Sequence, residues 1–401
     1  MSEAFKAVKI IDDVYWVGAI DWAVRDFHGY STKRGTTYNA YLIMADKVTL
    51  MDTVKAPFRD ELMARIASVI EPTRIDHIVS NHAEMDHSGC LAEVIEAVRP
   101  EKVFASVKGA EALQEHFGLG DRVEAVRDEQ TLSLGDLSLR FLETRMLHWP
   151  DSMFSYLPER RVLFSQDGFG MHMASEERFA DELDVETIEY EAAKYYANIL
   201  MPLSSRVGKA LQALGTLDLR RIAPDHGPIF RRDTGRIVEL YARWLTQAPT
   251  KKAVVVYDTM WGSTAKMAHA IGEGLTAGGI TVKPMPLGEN DRSAVATEIL
   301  DAGALLVGSP TINGGMFPTV ADVLTYLKGL SPKNLTGAAF GSYGWAPRGV
   351  SDVGEVLERM KVELVDEGLA VNYVPDDDDL AKCRALGRRV AEKLTDRCQS
   401  P

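Results

Sequence analysis

Apolar and polar positions do not repeat with a single period along this chain. Up to about Trp244, short β-rich runs such as residues 36–43 (TTYNAYLI) and Val48–Met51 mix with amphipathic stretches such as Arg59–Ile70. That pattern predicts many short elements rather than long helices. The segment Leu245–Lys252 is polar around Pro249 and runs directly into Ala253–Tyr257, a valine-rich run of the kind that forms a buried parallel strand. A domain boundary is therefore expected near Pro249, giving domains over 1–249 and 250–401. Beyond it strands and helices alternate: a strand at 253–257, a helix from Ser263 to about Ala277, and a strand near Val282. A strand at Ala304–Gly308, a helix over Val320–Leu327 and a strand at 338–341 follow. Such alternation predicts a doubly wound parallel sheet.

Composition narrows the function classes. With 401 residues, 46% of them hydrophobic, the chain can bury more than one core. Acidic residues outnumber basic ones, 58 to 45, so the net charge of −13 gives no footing for nucleic acid. No stretch stays apolar for the ~20 residues of a membrane span, and the start carries no basic segment followed by an apolar core, so a cytoplasmic protein is expected. The three cysteines, Cys90, Cys383 and Cys398, form no C-x-x-C pair. Any metal must then be held by histidines and carboxylates. The acidic run Asp376–Asp379 is expected to be a solvated loop.

Residues 75–80 read as a strand that runs into the turn Asn81–Gly89, placing His82, Glu84, Asp86 and His87 within six residues. Two carboxylates and two imidazoles in one concave turn are costly without a cation. In the alternative, Asp86 caps a helix over 88–98 and its neighbours are solvated. Further candidates stand at the ends of apolar runs beside turn formers: His148 in MLHWPD, Asp167 in FSQDGFG and His226 in PDHGP.

The spacing H-x-[H/E]-x-D-H with a distant His, Asp and His resembles the metallo-β-lactamase superfamily, which implies an αββα sandwich with its site at strand ends. Hydrolytic members typically carry His at the third motif position. Here Glu84 stands there, a hard oxygen donor that shifts the preference from zinc toward iron. The resemblance implies a di-iron site with His82, Glu84 and His148 on one iron, Asp86 and His226 on the other, and Asp167 bridging. His87 is a seventh candidate, since members of the redox branch differ in whether this side chain reaches the metal. His28 and Tyr196 are candidate pocket-lining donors of the same site.

In the second half, Asp258–Lys266 is a hydroxyl-rich turn opening a helix, where backbone N–H groups and hydroxyls can hold a phosphate. Two more strands end in loops, 308–318 and 341–349, and three loops at the carboxyl ends of parallel strands form one crevice. This half resembles flavodoxin, which implies FMN. The phosphate would lie on Thr259, Met260, Trp261, Gly262, Ser263 and Thr264. Pro310, Thr311, Ile312, Asn313, Gly314 and Gly315 would follow the ribityl chain and ring, with Ser342, Tyr343, Gly344 and Trp345 on the ring's other side. Trp261 and Trp345 stand where aromatic rings could flank the isoalloxazine.

A metallo-β-lactamase-like αββα domain with this ligand set, followed by a flavodoxin-like doubly wound sheet, resembles the flavodiiron proteins (A-type flavoproteins) over the whole chain. Stretches such as FHGYSTKRGTTYNAYL and RMLHWPDSM bring it nearest to the rubredoxin:oxygen oxidoreductases among them. The resemblance implies FMN, two irons per chain, and reduction of O2 to water, NO to nitrous oxide, or both. It also implies a head-to-tail homodimer or a dimer of dimers. The chain ends soon after its last flavodoxin-like helix, so the donor is expected to be a separate molecule, a rubredoxin-like protein or a reduced deazaflavin. Two rivals are a zinc-dependent hydrolase with an accessory flavodoxin-like domain and a flavin carrier with a vestigial metal domain.

Overall fold

In the strands of the first half, neighbouring side chains serve two different cores, because successive residues of a strand point to opposite faces. Met51, Val79 and Phe104 face one apolar cluster, while Leu50, Ile78, Val103 and Ala105 face another. Both faces are covered, so these strands read as continuous apolar runs rather than as alternation. The computed structural model describes residues 5–399. In it the chain divides into two compact units. One runs up to Tyr195 and resumes over Leu203–Ala242; the other takes Tyr196–Pro202 and the residues from Arg243 onward.

The first unit is an αββα sandwich. Its larger sheet follows chain order: β1 (Val8–Ile11), β2 (Val14–Trp16), β3 (Tyr41–Ile43), β4 (Thr49–Met51), β5 (His77–Ser80), β6 (Lys102–Ser106) and β7 (Val123–Val126). Pairing is antiparallel through β4 and parallel from β4 onward. The second sheet runs β8 (Thr131–Ser133), β9 (Ser138–Glu143), β10 (Met153–Leu157), β11 (Val162–Phe164) and β12 (Arg221–Ala223), with only the last pair parallel. Trp16, Tyr41 and Phe104 from one sheet share a buried cluster with Phe141, Leu157 and Phe164 from the other. The opposite face of the larger sheet packs on the helices Arg59–Ala67, Leu91–Val98 and Val107–Phe117 through Leu62, Ile66, Val94, Ile95 and Leu113.

The second unit is a parallel sheet in the order β14 (Thr281–Pro286), β13 (Lys252–Tyr257), β15 (Ala304–Gly308), β16 (Thr336–Tyr343) and β17 (Glu363–Leu364). The strand β18 (Leu369–Asn372) pairs with the carboxyl half of β16. Helices Ser263–Ala277 and Asp377–Gln399 cover one face with Met267, Ile271, Leu386 and Val390. They cross closely because glycine is at the crossing: a Cβ on Gly387 would stand 2.2 Å from the Ile271 carbonyl oxygen. The acidic run expected to be a loop is instead the start of the last helix. Asp376 accepts the Asp379 amide at 2.9 Å, and Asp377–Asp379 form the first turn, where the helix dipole favours negative charge. Among the described residues no helix is long and apolar enough to cross a membrane.

Candidate metal centre and flavin crevice

Four loops at the carboxyl ends of strands supply the first site. His82 and Glu84 lie on the turn leaving β5, and Asp86 and His87 on the short helix Met85–Ser88 that follows it. The helix over 88–98 in the alternative is in fact Leu91–Val98, and Asp86 is not its cap. The turn is anchored by Asp52, whose carboxylate accepts both the Asn81 backbone amide (2.6 Å) and its side-chain amide (2.7 Å), while Ser155 donates to Asn81 Oδ1. His226 sits on a turn after β12 that Asn39 holds by donating to the carbonyls of Pro224 and Gly227 at 2.7 and 2.9 Å. His148 follows β9, and Asp167 follows β11.

The seven candidate ligands meet as two groups. Nε2 of His82 lies 3.3 Å from Glu84 Oε2 and 3.4 Å from Asp167 Oδ2, and Nε2 of His148 lies 3.2 and 2.9 Å from the same two oxygens. Nε2 of His87 lies 3.4 Å from Asp86 Oδ1 and 3.2 Å from Asp167 Oδ1. Nε2 of His226 lies 3.1 Å from Asp86 Oδ2 and 3.4 Å from Asp167 Oδ1. Asp167 therefore turns one oxygen to each group. His87, left open by the sequence, points its Nε2 into the second.

These side chains fit a pair of cations. Nε2 of His82, Nε2 of His87, Oδ1 of Asp86 and Oδ1 of Asp167 are buried without a hydrogen-bond partner, an arrangement that a protein tolerates when an ion completes it. Histidine and carboxylate donors of this kind suit iron. Burial alone would discharge these groups. In the absence of a cation, however, Asp86 and Asp167 push the His87 imidazole up to about 10, and hydrogen bonds to Asp167 and Glu84 push His148 up to about 9. Burial likewise works against the Glu84 carboxylate, but His148 and His82 hold it down at about 2. Protons thus occupy the places where metal would bind.

The outer nitrogens are fixed by groups that only accept. His82 Nδ1 lies 2.9 Å from Asp151 Oδ2, which also accepts the Ala83 amide at 2.6 Å, and His226 Nδ1 lies 2.7 Å from the Thr37 carbonyl. Both Nδ1 atoms must carry hydrogen, so in each ring Nε2 is the nitrogen left to ligate a metal. Asp151 stands three positions after His148 in the same MLHWPD run and carries no spacing signal of its own. Thr37 acts through its backbone and leaves no sequence signal.

His28 reaches the rim, with Nε2 3.7 Å from Glu84 Oε1 and its side chain exposed. Tyr196 is corrected by one residue. It packs on Trp244, ring to ring 5.4 Å, within the second unit, whereas the Tyr195 ring lies 6.2 Å from that of His226. Consecutive residues of a helix point ~100° apart, and a Tyr-Tyr pair does not say which one faces inward.

In the second unit the three loops expected for FMN lie at the carboxyl ends of β13, β15 and β16. Gly262, at φ +85°, precedes helix Ser263–Ala277, whose N-terminus has no side-chain cap, leaving its first amides for an anion. Thr259 Oγ1 accepts the Gly262 amide at 3.1 Å, and buried Thr264 Oγ1 meets Ser342 Oγ at 3.2 Å, joining the first loop to the third. Pro310 leads into a hairpin of Thr311–Ile312 with Gly315–Met316, turning at Asn313 (φ 50°) and Gly314 (φ 74°), the positive-φ pair of a type I′ turn. Tyr343 accepts the Tyr373 amide, and Gly344 accepts from Asn372 Nδ2, each at 2.7 Å. Trp261 and Trp345 are 93% and 91% exposed, and Met260 is also exposed. An uncapped helix start beside the Thr259, Ser263 and Thr264 hydroxyls fits a flavin phosphate.

A histidine–carboxylate pair of metal positions on an αββα sandwich, joined to a flavodoxin-type sheet, defines a metal-dependent redox flavoprotein. Residues 36–227 match the family model described as ODP family beta lactamase, and residues 255–387 match Flavodoxin. The chain is 48% identical to a nitric oxide reductase of Moorella thermoacetica (97% of this chain, 99% of the relative). It is 45% identical to the rubredoxin-oxygen oxidoreductase of Megalodesulfovibrio gigas (97% and 98%). The crystal structure of the flavodiiron protein from Giardia intestinalis superposes with a TM-score of 0.96 at 35% identity, covering 100% of this chain and 99% of that one. The chain belongs to the flavodiiron proteins and is a close homologue of rubredoxin-oxygen oxidoreductase.

Proposed function

We propose that this protein passes electrons from an external donor through FMN to two irons, where O2 is reduced to water, NO to nitrous oxide, or both. The observation that carries this reading is Asp167, whose two carboxylate oxygens face two separate histidine–carboxylate groups. Bound irons would supply a gas-binding redox centre, and bound FMN a carrier for one or two electrons. His82, Glu84 and His148 would hold one iron and Asp86, His87 and His226 the other, with Asp167 turned to both. The orientation of His87 Nε2 supports the seven-ligand set. Asp151 and the Thr37 carbonyl keep the Nδ1 protons outward. His28 stands at the open side, beside Glu84.

The residues at Thr259–Thr264, Pro310–Gly315 and Ser342–Trp345 would hold FMN, the start of helix Ser263–Ala277 taking its phosphate. Large apolar side chains exposed around these loops, among them Trp261, Trp345, Tyr373 and Val374, favour burial against a second copy of the chain. That supports a head-to-tail homodimer, alone or as a dimer of dimers. The donor is a rubredoxin-like protein or a reduced deazaflavin. The experiment is metal and flavin analysis with parallel O2 and NO consumption under a reduced rubredoxin. About two irons and one FMN per chain with gas uptake are expected; stoichiometric zinc with hydrolytic turnover would overturn the reading.

A further inference from the structure

Thr36 is fully buried, and its hydroxyl oxygen lies 2.9 Å from Nδ1 of His172 and 3.3 Å from Nδ1 of His226. His172 is itself buried and packs ring to ring 4.6 Å from His226, with Phe27 at 4.9 Å and Tyr30 and Tyr195 at 5.1 Å. None of the proposed ligand positions includes it, yet it stands one ring away from the second metal position.

The protons of this triple follow from what each atom can do. His226 Nδ1 already carries hydrogen, because the Thr37 carbonyl 2.7 Å away can only accept. The Thr36 hydroxyl has one hydrogen to give and cannot give it to that nitrogen. Two acceptors remain, His172 Nδ1 at 2.9 Å and the Thr37 carbonyl at 3.2 Å. The nearer one takes the hydrogen. His172 Nδ1 is then unprotonated, and its ring hydrogen sits on Nε2.

We propose that Thr36 is a positioning residue that couples two histidine tautomers: His226 turns its Nε2 lone pair to the metal, and His172 presents Nε2–H beside it as a hydrogen-bond donor. Among the described residues the hydrogen bonding of His172 is at Nδ1, and its ring packs on that of His226, so Nε2–H is the donor available to a small oxygen-bearing ligand of the centre, an O2- or NO-derived species. The assignment of that ligand rests on the gas-reduction reading; the tautomer does not.

The test is long-range 1H–15N spectroscopy of the full chain with FMN bound, labelled with 15N-histidine and loaded with zinc so that iron does not broaden the lines. His172 is assigned by the signals lost in His172→Gln. The expected wild-type pattern is a single neutral tautomer with an unprotonated Nδ1 and a protonated Nε2. Thr36→Val should convert it to a mixture or to the Nδ1–H form, and Thr36→Ser should restore it. In the iron-loaded protein, Thr36→Val should retain two irons and FMN while gas turnover falls roughly tenfold, the scale of one hydrogen bond. A protonated Nδ1 on wild-type His172 would overturn the proposal without any variant being made. So would a His172 tautomer unchanged in Thr36→Val. Absence of gas uptake by the iron-loaded wild type would instead count against the gas-reduction reading and leave the tautomer result standing.

Discussion

Replacing Asp151 by Asn removes one negative charge from a place that no metal should touch. Its Oδ2 accepts from His82 Nδ1 at 2.9 Å and from the Ala83 amide at 2.6 Å, both buried. Asparagine keeps the shape and an acceptor oxygen but loses the charge, and charge-assisted hydrogen bonds are about twice as strong as neutral ones. Partners of ligating histidines typically change metal affinity ~10–100-fold, or about 1.4–2.7 kcal/mol. The loss should fall on the position served by His82, Glu84 and His148, leaving the other nearly unchanged. The assay is titration of metal-free protein with zinc or ferrous ion against a chromophoric chelator, resolving two binding steps, with FMN content as the check on folding. Two steps with wild-type affinities would refute the view that Asp151 sets the basicity and orientation of His82.

Asp167→Ala should abolish gas reduction while leaving the flavin bound; oxygen consumption that survives the change would count against its bridging position. Thr264→Val, at the contact with Ser342, should weaken FMN binding by roughly tenfold without altering iron content, read by flavin fluorescence on dilution. In metal-free protein, His87 and His148 are raised to about 10 and about 9, so their contribution to stability is complete below the ordinary imidazole value near 6.5 and is lost as pH rises through 9 to 10. Thermal melts of chelated protein should therefore drop between pH 7 and 10, while the metal-loaded protein, whose imidazoles are neutral throughout, changes less. Gly387→Ala should destabilise the second unit by ~1–3 kcal/mol, because its Cβ would press on the Ile271 carbonyl.

The second half was legible because its central strands are buried on both faces and separated by helices of full length. Helix Ser263–Ala277 and strand Ala304–Gly308 occupy the residues that the pattern predicts. In the first half the ligands themselves were readable, since each stands where an apolar run meets a turn. The two sheets were not. A strand such as Val162–Phe164 is three residues long and wholly buried, too short to show a period. Residues that act by geometry alone were invisible as well: Thr36 looks like any strand threonine, and Tyr195 differs from Tyr196 only by its place on a helical turn. The Asp376–Asp379 run is ambiguous in sequence, because a string of acids suits a solvated loop and the first turn of a helix equally well.

Because the proposed ligands are drawn from the turns after β5, β9, β11 and β12, a bound metal pair ties together segments spread from His82 to His226. The unfolded chain does not hold such a clasp together, so the free energy of binding metal there becomes folding free energy of the first unit. Iron supply would then decide more than catalytic capacity: newly made chains short of metal should carry a loosened first unit beside a finished flavin-binding one, and be the copies that proteases remove.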